Sequence, residues 1–286
     1  RVKYFHVKWG SSMRILSLVE DWTARDDLKR THGMCLYIET AQHKILFDVG
    51  PDDTFMQNAE ACGIDLKAVD TLILSHGHKD HGGGLGIFLQ LNHTAKVYAR
   101  PEAFTPHYCK MLNVPFFCGL DSKYQNKKQI VYTDSRYIID ISLILFSDIE
   151  GNRCIPTLNH SLQKKQGKQR VADDFVHEQN LVILENGKVV VIGGCAHRGI
   201  VNILEQAYFL SGKPVDVVVA GFHLTDPISK KTENNAFLDR LAYNLKKHSC
   251  LYYTCHCTGH AVFEYLQRQV GENLRYLALG DKIIIE

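Results

Sequence analysis

The sequence predicts an α/β fold in which β-sheets are covered by helices. Three observations carry that expectation. Short apolar runs, such as residues 72–74 (LIL) and 188–192 (KVVVI), read as buried strands. Helix-like sequence is interleaved with them along the chain, the alternation of layered sheet-and-helix folds. With 286 residues, 45% of them hydrophobic and 22% charged, the chain is long enough to bury a sizeable core.

Taken in order, residues 1–12 (RVKYFHVKWGSS) stand apart from the rest of the chain. Met13 opens a strand pattern, so it reads as the natural start, with 1–12 an added or optional leader and 13–286 a single domain. A native edge strand is the competing reading of those twelve residues. Residues 34–38 and 44–48 read as paired strands across the turn-like Thr40-Ala41-Gln42-His43. A helix is expected over 53–62, stopped by Gly63, then a short buried strand at 72–74. Residues 82–91 resume as a helix and 96–99 as a strand. The stretch 101–174 reads as irregular, and within it QKKQGKQR (163–170) as a mobile, solvated loop. Strands return at 181–184, 188–192, 215–219 and 251–253, the last two each preceded by helical sequence. No short-period repeat is visible.

A net charge of +2 offers no electrostatic footprint for nucleic acid or an anionic membrane, so neither partner is expected. No stretch nears the roughly 18 apolar residues of a membrane helix, and no signal-peptide pattern opens the chain. Nine cysteines, odd in number and without framework spacing, suit reduced thiols and a cytoplasmic location.

The chemistry concentrates in SHGHKDHGGGL, residues 75–85. Three histidines and an aspartate follow a strand end, and Gly77 lets the backbone turn so that His76 and His78 aim at one point. A single ion does not accommodate all four side chains. Two ions do, with His76 and His78 on one and Asp80 and His81 on the other, a pair roughly 3.5–4 Å apart that can activate a shared water. Imidazole and carboxylate suit zinc best, and iron and manganese tolerate the same set. Gly82-Gly83-Gly84 then opens a helix whose N-terminus favours anions.

Together with Asp48 at an upstream strand end, these four residues resemble the central motif of the metallo-β-lactamase superfamily. The resemblance implies an αββα sandwich, two mixed β-sheets flanked by helices, with metals at one edge of the sheets. THGMCLYIET, ILFDVG, LSHGHKDHGGGL, GGCAHRGIVNIL, AGFHL and CHCTG, in that order, are similar to one subfamily within it. Its members are the 7,8-dihydropterin-6-methyl-4-(β-D-ribofuranosyl)aminobenzene-5′-phosphate synthase-like hydrolases.

The resemblance also implies roles. His256 falls where the superfamily places the last histidine of the second metal, and Cys195 where most members carry a bridging aspartate. A thiolate there can ligate zinc. His197 belongs to the subfamily's GCAH signature, as a ligand or aimed at the bridging water. The third histidine of the first metal should precede the Cys195 strand by one hairpin. His177, with Glu178 beside it, is the best-placed candidate and His160 the reserve. His223 ends a buried strand and is expected to act as general acid, with a structural histidine as the alternative. Asp48 is expected to orient a metal ligand. His32 reads as a strand-start surface residue, with a place near the pocket as the alternative, and His43, His93 and His107 have no evident partners. Cys250, Cys255 and Cys257 lack the paired spacing of a zinc knot, so Cys255 and Cys257 read as flanking His256.

The function expected is a metal-dependent hydrolase in which a metal-bridged hydroxide attacks a small substrate. Asp80 would hold the second metal and the proton of that nucleophile. By resemblance the substrate is anionic, a pterin, a phosphoribosyl compound or another phosphoester, with lactone, thioester and amide left open. Two rivals stand beside it: a di-iron redox enzyme of the same superfamily, and a non-catalytic metal- or ligand-binding protein that keeps the fold. The first is disfavoured because His78 stands where those proteins usually carry glutamate.

Overall fold

The central strands of two large sheets are apolar on both faces, and each face has a different partner. In the computed structural model, which describes residues 12–111 and 114–286, one seven-stranded sheet runs Lys282–Ile285, Met13–Val19, Cys35–Glu39, Lys44–Phe47, Thr71–Ile73, Lys96–Ala99 and Ile130–Tyr132. The other runs Leu274–Tyr276, Leu251–Thr254, Val217–Ala220, Lys188–Ile192, Asn180–Glu185, Leu143–Phe146 and Arg136–Ile138. Except for Ser12, the segment before Met13 lies outside the described residues.

Side-chain alternation decides the layering. Leu36, Ile38, Ile45, Phe47 and Ile73 face Leu181, Ile183, Val190, Ile192 and Val219 in a core between the sheets. Their neighbours Cys35, Tyr37, Leu46 and Leu72 point the other way, onto the helices Thr54–Ala61 and Leu85–Leu91. On the second sheet Val189, Val191, Val218 and Tyr252 point outward, onto Ile200–Ser211, Asn235–Leu245 and His260–Val270. The result is the αββα sandwich. Each fully buried aliphatic side chain contributes about 1.5–3 kcal/mol, so the double-sided strands set the architecture.

Both sheets are mixed. Lys44–Phe47, Thr71–Ile73, Lys96–Ala99 and Ile130–Tyr132 are parallel, as are Lys188–Ile192, Val217–Ala220, Leu251–Thr254 and Leu274–Tyr276. In open α/β sheets the loops beyond the carboxyl ends of parallel strands form the binding crevice. Here those loops carry Asp48, residues 75–81, Cys195, His197, His223 and His256.

Residues 101–174 are not irregular. They supply Ile130–Tyr132, Arg136–Ile138 and Leu143–Phe146 to the main sheets, and all of a third, four-stranded sheet: Gln169–Ala172, Leu162–Gln166, His107–Met111 and Val114–Phe117. QKKQGKQR is therefore a β-hairpin, turning at Gly167 (φ 59°), with Gln166 opposite Gln169. Its strands are half-exposed and polar, so a ladder to a neighbouring strand, which no hydrophobic period announces, holds them in place. The helix expected from residue 82 starts at Leu85, after a separate turn at Lys79–Gly82. A Cβ on Gly84 would lie 2.6 Å from the Val49 carbonyl oxygen, so the glycines serve close backbone approach. His43, expected to lack partners, bridges Asp70 and Asp140 at 2.9 and 2.7 Å. Among the described residues no helix is long and apolar enough to cross a membrane.

Candidate metal centre

Asp48 organises the first part of the site. It leaves its strand in the left-handed region (φ 63°), fully buried. Its Oδ1 accepts the Ser75 N–H at 2.7 Å, and its Oδ2 accepts the Ser75 hydroxyl at 2.7 Å and His81 Nδ1–H at 2.6 Å. His76 Nδ1 in turn lies 2.7 Å from Ser75 Oγ. With the Nδ1 positions of His76 and His81 committed to these bonds, their Nε2 atoms are left to face inward.

The Nε2 atoms of His76, His78 and His197 are buried without a hydrogen-bond partner among the described residues, and they lie within 4.8 Å of one another. A buried polar atom left unpaired costs about 1–3 kcal/mol, so three at one point call for a shared partner. Burial, then the repulsion of neighbouring imidazoles, holds all three rings well below the ordinary histidine range. They are neutral, which is the form that ligates a cation.

The third inward Nε2 beside those of His76 and His78 belongs to His197. Ala196 takes φ 50° and swings His197 under Phe175, whose ring stacks on it at 4.4 Å and 9°. His197 Nδ1 is held by Asn159 Oδ1 at 2.9 Å, and its backbone N–H by Glu178 at 2.7 Å. His177 lies close by, in a group with His78, His107 and Asp173 that could hold a metal ion, but both of its ring nitrogens have protein partners. Its Nδ1 accepts the Gly77 N–H at 2.9 Å and its Nε2 lies 3.2 Å from Asp173. His107, read as partnerless, is buried against the same Asp173 carboxylate at 2.9 Å. The reserve candidate His160 is exposed, with Nδ1 on the Thr157 carbonyl.

A second group lies alongside. Asp80 Oδ2 is 3.3 Å from His256 Nε2 and 3.7 Å from His81 Nε2, and His81 Nε2 is 3.1 Å from Cys195 Sγ. Burial opposes ionisation of Asp80, but the imidazoles of His81, His256 and His32 hold its carboxyl well below the usual range. His256 (φ 48°) is aimed by Glu20, which accepts its backbone N–H at 2.6 Å, and by Asp21 at 3.2 Å from Nδ1. His32 is not a bystander on the surface. It bonds Asp21 at 2.8 Å, lies 3.5 Å from Asp80 and packs on His256 at 4.5 Å.

Both groups open into a cavity of about 780 Å³. His223 lines it, its Nδ1 buried and without a hydrogen-bond partner among the described residues, and its ring 4.3 Å from that of His197. The sequence model of the metallo-β-lactamase superfamily matches residues 28–206. The chain belongs to that superfamily.

Along 96% of both chains it is 26% identical to the 7,8-dihydropterin-6-methyl-4-(β-D-ribofuranosyl)-aminobenzene-5′-phosphate synthase of Methanocaldococcus jannaschii. Among solved structures, Tm1679, a metal-dependent hydrolase of the β-lactamase superfamily, is 27% identical with a TM-score of 0.79, covering 95% of this chain and 98% of that one. Zn²⁺-bound PqqB from Methylobacterium extorquens, 12% identical with a TM-score of 0.58 over 94% of this chain and 99% of that one, shares the fold.

Within this superfamily member the CHC triplet divides its work. Cys255 is buried in the core between the sheets, whereas Cys257 turns back with His256 in a short 3₁₀ turn and hydrogen-bonds Cys195. Cys195, His256 and Cys257 offer ligand atoms within 4.8 Å of one another. Against burial, hydrogen bonds from Cys195 and His223 hold Cys257 well below the ordinary thiol range, while burial pushes Cys195 up. Reading Cys257 as a mere flank missed this. The alternation of CHC would have exposed it only with the left-handed turn at His256 in hand.

Proposed function

We propose that this protein is a metal-dependent hydrolase that holds two divalent transition-metal ions, zinc foremost, and cleaves a small anionic substrate, a phosphoester above all. The observation that carries the reading is the convergence of three partnerless, buried Nε2 atoms beside the Asp80–His81–His256–Cys195 group. His76, His78 and His197 would hold one ion; Asp80, His81, His256 and Cys195 the other. Imidazole, carboxylate and thiolate together fit zinc. Such a pair of ions supplies a hydroxide-like nucleophile at neutral pH and takes up negative charge from the bond being broken.

The chain's own residues supply the rest. Asp48 and Ser75 orient His76 and His81, Asn159 and Phe175 orient His197, and Glu20 and Asp21 orient His256. Around the cavity mouth stand Arg30, Lys79, Lys110 and Lys230, none ion-paired among the described residues. Phe117 and Ile228, 55% and 50% exposed, add apolar wall. Unpaired cations over an apolar wall favour an anion that also carries a ring or other apolar body. The Methanocaldococcus jannaschii relative is named for a dihydropterin-linked 5′-phosphate, which supports that substrate class. We place the protein in the cytoplasm, where its site thiols stay reduced.

The test pairs metal analysis with a chromogenic panel. The purified protein should carry between one and two equivalents of transition metal and hydrolyse phosphoesters faster than neutral lactones or thioesters. Lys110→Glu with Lys230→Glu should raise KM about tenfold or more for anionic substrates and spare kcat. A metal-free protein that hydrolyses nothing in the panel would overturn the proposal.

We assign to His223, which lines the cavity, the donation of a proton to the leaving group. Its removal as His223→Ala should then cost rate in proportion to leaving-group pKa across an ester series, nearly sparing nitrophenyl esters. One constant factor lost on every ester would assign His223 to substrate binding or to the fold.

A further inference from the structure

One wall of the cavity is the hairpin of His107–Met111 and Val114–Phe117, and it carries two cysteines that the proposed hydrolysis does not use. Cys109 stands opposite Phe116, and the Cys118 N–H donates to the His107 carbonyl at 2.9 Å one step beyond the paired strands. Cys118 is thus the diagonal neighbour of Cys109 on the same face, within side-chain reach. The Cys118 thiol hydrogen-bonds the Cys109 sulfur. Both sulfurs are free, half-buried and at the cavity, open to small solutes.

We propose that Cys109 and Cys118 form a redox-active dithiol, a reversible modification site that a small peroxide oxidises to a disulfide. The Cys109 thiolate attacks one peroxide oxygen, the O–O bond breaks, and a sulfenic acid forms as hydroxide leaves. The Cys118 sulfur then displaces the sulfenic oxygen, which departs as water with the thiol proton. Overall two thiols and one hydrogen peroxide yield one disulfide and two waters. Two electrons pass from the sulfurs to the peroxide. The hydrogen bond from Cys118 draws the Cys109 thiol down to about 7, so thiolate is present at neutral pH.

The hairpin is wired to the His76–His81 loop, which gives the modification a local consequence. The Cys118 carbonyl accepts the Lys79 N–H at 2.7 Å, and Gly119 pairs with His78 as an isolated β-bridge. From the other strand His107 packs beneath Gly77, where a Cβ would meet its Nε2 at 2.7 Å. Closing the disulfide fixes this wall and, through it, the backbone of residues 77–79.

The test treats the full chain with stoichiometric hydrogen peroxide, alkylates the remaining thiols and maps peptides without reduction. The expected product is a Cys109–Cys118 cross-link, two hydrogens lighter and reversed by dithiothreitol. Cys118→Ser should stop at a dimedone-trappable sulfenic acid on Cys109, and Cys109→Ser should give neither product. Amide exchange in residues 77–80 and 114–119 should slow by roughly tenfold or more in the oxidised parent but not in the double serine variant. Equal alkylation of both cysteines with and without peroxide, or no dimedone adduct in Cys118→Ser, would overturn the site. A cross-link with unchanged exchange at 77–80 would overturn its coupling to the loop. None of these readouts needs bound metal or turnover, so they stand or fall apart from the hydrolase reading.

Discussion

His197→Asn should leave the purified protein with about one metal equivalent fewer than the parent, whereas His177→Asn should keep the parent's content. His197 presents a buried Nε2 with no hydrogen-bond partner among the described residues, beside those of His76 and His78, while both His177 nitrogens are spent on Gly77 and Asp173. Asparagine keeps an oxygen near the Nδ1 position, so the Gly77 bond can survive in the His177 variant. At position 197 the same change keeps a polar group near Asn159 but deletes the inward nitrogen. Four-ligand zinc sites are worth about 10–16 kcal/mol, so losing one ligand costs roughly 3 kcal/mol, about a hundredfold in affinity. Elemental analysis after dialysis, and competition with a chelator of known affinity, read that difference. If His177→Asn loses as much metal as His197→Asn, the third ligand is His177 and the assignment of His197 is reversed.

That pair also shows where the sequence stops being legible. His76, His78, Asp80 and His81 could be read because six consecutive positions hold them all, just after an apolar strand run. His177 and His197 flank the two ends of one antiparallel hairpin, Asn180–Glu185 with Lys188–Ile192, so both emerge at the same end of the sheet. Sequence position does not separate them. The choice is made by Ala196 at φ 50° and by Phe175 beneath the ring on one side, and by Asp173 drawing the other ring away. These are contacts between segments far apart in the chain. Asp21 escaped notice and His32 was read as a surface residue for the same reason, since only the fold brings them against His256. The layered architecture was legible because strands buried on both faces are apolar throughout. The third sheet was not, because its strands are half-solvated and their order comes from backbone pairing.

Asp80→Asn should lower kcat by about 10³, roughly 4 kcal/mol of transition-state stabilisation, and move KM only a few-fold. Asp80 is the carboxylate that reaches both His81 and His256, at 3.7 and 3.3 Å, while its half-buried side chain opens onto the cavity. The neighbouring imidazoles keep it ionised. Its negative charge is therefore fixed where the proposed ion and nucleophile would be aligned, and there it would be worth most as charge redistributes in the transition state. Under the proposed function, substrate binding would draw instead on the cations that line the cavity, which the substitution leaves untouched. Asparagine preserves size and shape, so circular dichroism and Tm should match the parent and separate lost chemistry from lost folding. A mutant whose KM rises by the full factor while kcat holds would mean that Asp80 grips the substrate in the ground state. Its role in aligning the nucleophile would then be withdrawn.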